Sequence, residues 1–227
     1  MSKSEQAIIK RNNQRKILNK FVDLPVKVFI KSGISPNILS YCGFFCTLTV
    51  AILLAWGGLH FPFQIAWIVP FVLFWAGAFD VFDGEVARRT ENISKSGAFL
   101  DSNLDRLSDA ILVLGLILGG YFSYIIGFTI LFLIIMISYI RARAENEGID
   151  MKGVGLMERA ERLIFLWFAF IAEFWVFYLS NLFYGTPFTL FFPIFTFFFI
   201  GLLILTVIQR LIFSFKSLNK IEMLDKN

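Results

Sequence analysis

The chain has 227 residues, of which 57% are hydrophobic and 29 are Phe, and it carries a formal net charge of +4. With a mean hydropathy of +0.72, this composition excludes an ordinary soluble domain and makes a bilayer the expected solvent. Length and spacing of the apolar stretches leave room for one helical bundle and no appended soluble domain.

The N-terminal segment, 1–34, is too polar for a signal peptide, because its basic residues are interspersed with apolar ones rather than preceding a continuous apolar run. Ile8, Ile9, Leu18, Phe21, Val22, Val26, Phe29 and Ile30 predict an amphipathic helix lying in the membrane interface, broken near Pro25 and drawn to anionic lipid by its charges. An all-α membrane domain follows over 35–215, with six spans expected near 37–58, 63–87, 98–120, 123–144, 160–181 and 187–213. Residues 216–227 are expected to form a cytoplasmic tail.

All 21 Lys and Arg fall in four groups: eight in 1–35, four in 88–106, five in 141–162 and four in 210–226. None lies in the connections Gly57–Pro62, Gly119–Ser123 or Asn181–Pro187. An even number of spans therefore puts both termini and the basic connections on one side, which the positive-inside rule makes cytoplasmic. Chemistry that needs charged groups belongs to that face of a plasma-membrane protein.

In the spans, Cys42 and Cys46 sit one helical turn apart and read as packing residues. Gly115 and Gly119 form a small-xxx-small pair suited to a close helix contact, within a subunit or across a dimer. His60 reads as an interfacial surface residue with no role. Glu173 is the one acid deep in the later spans, and packing, dimer contact or snorkelling are its expected uses.

Charges inside spans are costly and mark function, and here they cluster. The second span ends Ala78-Phe79-Asp80-Val81-Phe82-Asp83-Gly84-Glu85-Val86-Ala87-Arg88-Arg89, and the third begins Gly97-Ala98-Phe99-Leu100-Asp101-Ser102-Asn103-Leu104-Asp105-Arg106. Asp80 and Asp83 share one helix face, and Gly97, Asp101 and Asp105 stack on another. Four carboxylates so placed repel unless cations neutralise them. An all-oxygen set without His or Cys favours hard ions, Mg²⁺, Mn²⁺ or Ca²⁺, over Zn²⁺. A pair of such ions suits in-line displacement at phosphorus. Gly84 and Gly97 leave space for close approach, and the Arg88 fork suits a phosphate. Asp109 continues the stripe one turn deeper, with support of a neighbouring ligand, packing and substrate contact all open.

The spacing Asp80-x2-Asp83-Gly84-x2-Ala87-Arg88-x8-Gly97-x3-Asp101-x3-Asp105 resembles the complete signature of the CDP-alcohol phosphotransferases. That resemblance implies six spans, an interfacial N-terminal helix, a homodimer and two divalent cations, Mg²⁺ first and Mn²⁺ second. It implies metal ligation by Asp80, Asp83, Asp101 and Asp105, with Asp105 also the general base. It implies a CDP-lipid donor held against Gly84, Ala87, Arg88 and Gly97, and Ser35-Pro36-Asn37 resembles the family's first-span start, which gives Asn37 to the nucleotide end.

Three further helix ends carry arginines: Tyr139-Ile140-Arg141, Glu158-Arg159-Ala160-Glu161-Arg162 and Gln209-Arg210. A neutral polyol has no need of them, whereas a phosphorylated acceptor gains charge-assisted contacts. These segments resemble the branch that makes phosphoinositol-phosphate lipids, which implies Arg141, Arg159 and Arg210 as holders of the acceptor phosphate, with Glu158, Glu161 and Arg162 orienting them through ion pairs. Arg141 in place of Lys resembles the archaeal members, whose lipid is archaeol-based. CDP-archaeol and CDP-diacylglycerol both stay open as donors, and glycerol 3-phosphate stays open beside inositol phosphate as acceptor. An ion-coupled transporter is the reading from another class, and no repeat symmetry supports it. A prenyltransferase lacks its second Asp-rich motif. Nucleic acid is not among the expected partners.

Overall fold

The apolar runs become helices, and the polar connections are where the helices stop. The structure is a computed structural model that describes residues 22–188 and 191–225. In chain order it contains α1 (22–31), α2 (Pro36–Ala55), a 3-10 turn (Gly58–His60), α3 (Phe63–Ala66), α4 (Ile68–Arg89), α5 (Lys95–Leu118), α6 (Tyr124–Asn146), α7 (Arg159–Tyr184) and α8 (Phe191–Asp225). No strand occurs among the described residues. Local signals set the ends: Ser123 caps α6 by accepting the Ile126 N–H, and Gly185 closes α7 in a left-handed conformation at φ 69°.

Five stretches are long and apolar enough to cross a bilayer: Pro36–Ala55, Phe63–Arg89, Tyr124–Asn146, Arg159–Tyr184 and Phe191–Met223. The sixth expected span, 98–120, is not among them. It falls on α5, whose 24 residues give it the length. Its first 15 residues, however, hold Lys95, Asp101, Asp105, Arg106 and Asp109, which lower its apolarity below that of the other five. The expected interfacial helix is described only from residue 22, so Ile8, Ile9, Leu18 and Phe21 lie outside the described residues. From 22 to 31 the helix is continuous through Pro25, which lies in its first described turn. At the other end α8 continues without a break past Phe213 to Asp225.

The chain divides into two compact units, the first made of the described residues up to Phe45 with Trp75–Leu104, the second of Cys46–Phe74 with Asp105 onward. The first has a small core in which Val26 of α1 is buried with Leu39, Phe82 and Val86. The second has the larger core, and its helices enter it with the same one-turn spacing: Val50 and Leu54, Val69 and Leu73, Leu112 and Leu116, Ile130 and Ile134, Leu166 and Phe170, Phe199 and Leu203. Much of the remaining aromatic surface points outward, as at Phe71, Phe128, Phe132, Phe183 and Phe197. Such a surface suits lipid and not water. Gly115 and Gly119 turn to α2 of the same chain, where a Cβ on Gly115 would lie 2.5 Å from the Ala51 carbonyl oxygen, so the small pair serves a contact within the subunit.

His60 does not sit idle at the surface. Its Nε2 lies 2.9 Å from Glu173 Oε1, its ring stacks on Phe177 at 4.1 Å, and the neighbouring Leu59 N–H donates to the Tyr121 hydroxyl at 3.0 Å. A glutamate buried to 1% exposure needs a partner, and His60 reaches it from the connection. Glu173 is thus the acid that gives His60 its place. Replacing His60 with Ala strands a buried carboxyl and is expected to cost about 1–3 kcal/mol, read as a lowered Tm of the purified protein, with Glu173→Gln milder because the amide retains hydrogen-bonding capacity.

Candidate active site

The first unit holds the signature from Asp80 to Asp101, at the junction of α4 and α5. α4 stops where Thr90 N–H bonds back to Val86 O at 2.9 Å and Asn92 N–H to Ala87 O at 3.1 Å. Glu91 takes the left-handed cap position at φ 54°, which glycine usually fills. Ser94 then opens α5, its Oγ accepting the Gly97 N–H at 3.0 Å. This short reversal brings a carboxylate oxygen of Asp80 and one of Asp101 within 4.8 Å of each other. Asp105 follows Asp101 one turn along the same unbroken helix and begins the second unit.

Asp83 is the buried member, at 7% exposure. Ser40, one turn into α2 beyond Asn37, donates its hydroxyl to Asp83 Oδ2 at 2.6 Å. Among the described residues no basic side chain pairs with Asp83. A carboxylate kept from water and answered by only a hydroxyl and backbone is a strong acceptor still seeking positive charge.

A cavity of about 410 Å³ opens beside it, lined by Asp83, Gly84, Ala87, Arg88, Gly97 and Asp101 from the signature, and by Asn37 and Ser40 from α2. Its position explains Gly97. A Cβ there would meet Ser94 Oγ at 2.9 Å and Asn37 Oδ1 at 3.3 Å, so any side chain would push into the cap and into the asparagine. Asp80 and Asp105 are not among the lining residues.

The arginines expected to hold an acceptor all belong to the second unit. Arg159, at the start of α7, meets Asp105 Oδ1 at 2.7 Å. Arg141 pairs with Glu145 at 2.9 Å on α6. Arg210 is different in kind: at 2% exposure, it donates from Nε to Val154 O at 2.8 Å and from Nη1 to Ile137 O at 2.7 Å, with Glu158 3.7 Å from Nη2. Arg141, Arg162, Glu145 and Glu158 all lie close enough to act on its charge. Arg162, expected to orient these arginines, is turned to α5. It pairs with Asp109 at 2.6 Å, both residues buried, and also donates to Met157 O. That gives Asp109 a partner on α7.

Reading the sequence missed Ser40 and Ser94. The signal for Ser40 was its place one turn after Asn37 on the same helix, and for Ser94 the three-residue offset to Gly97.

The chain belongs to the CDP-alcohol phosphatidyltransferase family, whose model matches residues 33–216. It is 37% identical over 143 residues to the archaetidylinositol phosphate synthase of Pyrococcus horikoshii, a match covering 63% of this chain and 72% of that one. Among solved structures, the Mycobacterium tuberculosis phosphatidylinositol phosphate synthase with CDP-DAG bound superposes with a TM-score of 0.67 at 25% identity, covering 86% of this chain and 94% of that one. The same enzyme in complex with manganese and citrate gives a TM-score of 0.68, again at 25% identity, covering 86% and 88%. This chain is accordingly a transferase of that family.

Divalent metal fits the residues present: the donors are all carboxylate oxygens, two of them within 4.8 Å of each other, and the third, Asp83, is buried without a basic partner among the described residues. Ser40→Ala removes the hydrogen bond that orients Asp83, and Mn²⁺ affinity is expected to fall by about tenfold or more, measurable by titration of the purified protein with Mn²⁺.

Proposed function

We propose that this protein transfers the phospholipid moiety of a CDP-lipid to a hydroxyl of myo-inositol phosphate, releasing CMP and leaving a phosphoinositol-phosphate lipid. The observation that carries the reading is the cavity lined by Asp83, Gly84, Ala87, Arg88, Gly97, Asp101 and Asn37. It joins carboxylates for metal to a glycine-edged space with an arginine at its wall, as a cytidine diphosphate requires. The names of the two relatives above, archaetidylinositol phosphate synthase and phosphatidylinositol phosphate synthase, support the choice of acceptor. CDP-archaeol and CDP-diacylglycerol are both admitted as donors, and the archaeal relative favours the first.

Asp80, Asp83, Asp101 and Asp105 are the ligands of two divalent cations in this reading, Mg²⁺ with Mn²⁺ as its substitute. Bound there, the cations supply charge neutralisation for the diphosphate and for the departing CMP. The chain's own groups do the rest. Asn37, Gly84, Ala87, Arg88 and Gly97 seat the nucleotide and diphosphate. Asp105 takes the proton of the acceptor hydroxyl, whose oxygen attacks the lipid-side phosphorus as the bond to CMP breaks. Arg141 and Arg159 hold the acceptor phosphate with Arg210, which also braces the backbone around them. The Arg159–Asp105 pair at 2.7 Å supports an arginine beside the base.

In the membrane, α5 is the sixth span beside the five apolar ones. Its 24 residues reach about 36 Å, and it carries its charges at the N-terminal end. Six spans put both termini, the signature and the basic connections on the cytoplasmic side of the plasma membrane, with α1 lying in the interface. The working form is a homodimer.

Two outcomes test this. Asp105→Asn is expected to abolish CMP release while CDP-lipid still binds, and near-normal turnover would remove Asp105 from the role of base. In an acceptor screen with CDP-lipid, CMP release is expected with inositol phosphate and not with free inositol; preferential turnover of glycerol 3-phosphate would reassign the product to a glycerophosphate lipid.

A further inference from the structure

Glu85 is not part of the family signature, yet it stands inside it, between Asp83-Gly84 and Ala87-Arg88. Its two oxygens are used separately. Oε1 accepts from Arg88 Nη2 at 2.8 Å, and Oε2 accepts from Arg89 Nε at 3.4 Å. The first contact folds Arg88 back across Gly84, where a Cβ would lie 3.4 Å from Nη1 and 3.6 Å from Nη2. Gly84 and Arg88 both line the cavity, so Glu85 sets where the cavity's guanidinium rests.

Arg89 faces the other way. Its Nη1 donates to Asp23 Oδ1 on α1 at 2.6 Å, and Lys27 holds the other oxygen of Asp23 at 2.5 Å. Lys27 and Arg89 together keep the Asp23 carboxyl below the usual carboxylate range. α1 is seated by apolar contacts as well: Val26 is fully buried, and the Phe29 ring lies 5.6 Å from that of Phe82 on α4. The opposite side of α1 exposes Leu24 and Val28 beside Lys27, an apolar and basic surface suited to a lipid interface.

We propose that Glu85 is a positioning residue that ties the seating of α1 to the placement of Arg88 in the donor pocket. The inference rests on reading that pocket as the CDP-lipid site. Each ion pair alone is a weak, solvated contact, but Arg88 and Arg89 share one carboxylate and have different second partners. With α1 seated, Asp23 engages Nη1 of Arg89 and leaves Glu85 Oε1 to Arg88. With α1 lifted, the Arg89 fork closes on both oxygens of Glu85, and Arg88 loses the contact that fixes its rotamer over Gly84. α1 thereby reports contact with the lipid surface to the pocket that must receive a lipid-borne donor.

The test uses Asp23→Asn, which touches no substrate, together with Glu85→Gln, in the full chain reconstituted in vesicles. Each is expected to raise the KM for CDP-lipid by about two- to fivefold, with kcat within about twofold. The double variant is expected to be no worse than the weaker-binding single, because both act on one linkage. Asp23→Glu is expected to restore the wild-type KM, and Glu147→Gln, which loses only its pair with Arg143, serves as the unaffected control. CDP affinity measured by calorimetry on the same proteins should weaken by the same factor. An unchanged KM in Asp23→Asn, or effects that multiply in the double variant, overturns the inference alone. A wild type that neither binds CDP nor releases CMP from CDP-lipid overturns the donor reading and the inference with it.

Discussion

Burial of the Asp83 carboxylate sets conditions on everything around it. An acid at 7% exposure in a mostly apolar chain is tolerable only where hydrogen-bond donors are brought to it, and the first unit brings one in Ser40. α2 must present Ser40 at hydrogen-bond distance, which fixes the register of its first turn and places Asn37 at the cavity wall. α4 must end within two turns and reverse tightly, which it does through a left-handed Glu91 and the Ser94 cap. The reversal in turn sets Asp101 against Asp80. Binding cavity, helix ends and acid pair are therefore consequences of one demand for charge compensation.

The second unit meets the same demand with arginine. Asp109 and Arg162 are both buried and pair at 2.6 Å. Such a pair is poor evidence of stability, since desolvation offsets most of the attraction, but breaking it by losing one partner is costly. It links α5 to α7 one turn beyond Asp105 and Arg159, which meet at 2.7 Å. The inner pair holds the register in which the outer pair can meet. The exposed pairs Arg141 with Glu145 and Arg143 with Glu147 have no such leverage, because water screens them.

The signature aspartates, Gly84, Ala87, Arg88 and Gly97 were legible because a bilayer makes every charge in a span conspicuous, and because residues three and four apart on a helix share a face. Most helix positions were legible for the same reason, within a few residues, but α8 runs to Asp225, well beyond the expected end at 213. Three kinds of feature were not. Ser40 and Ser94 act through single hydrogen bonds to residues brought near by the fold or the local cap, and serine is too common to signal that. The pairing of Arg162 with Asp109, 53 residues away, needed knowledge of which faces of α5 and α7 meet. His60 looked idle because Glu173, its partner, lies 113 residues on. The count of spans divides at α5, whose acids lower the apolarity by which a span is recognised.

The connection from α6 to α7 is closed from an unexpected direction. Ile149, Met151 and Met157 are buried, Arg210 of α8 grips Val154 O and Thr206 takes the Met157 N–H. Gly155 adopts φ +107°, where a Cβ would lie 2.8 Å from Thr206 and 3.1 Å from Arg210 Nε. The loop that leads into Arg159 is thus moulded on a helix some fifty residues downstream in the chain. Its exchange with the corresponding loop of another family member is not a modular operation: a transplanted α6–α7 connection inherits the wrong mould unless α8 travels with it, so these two segments form one unit of inheritance.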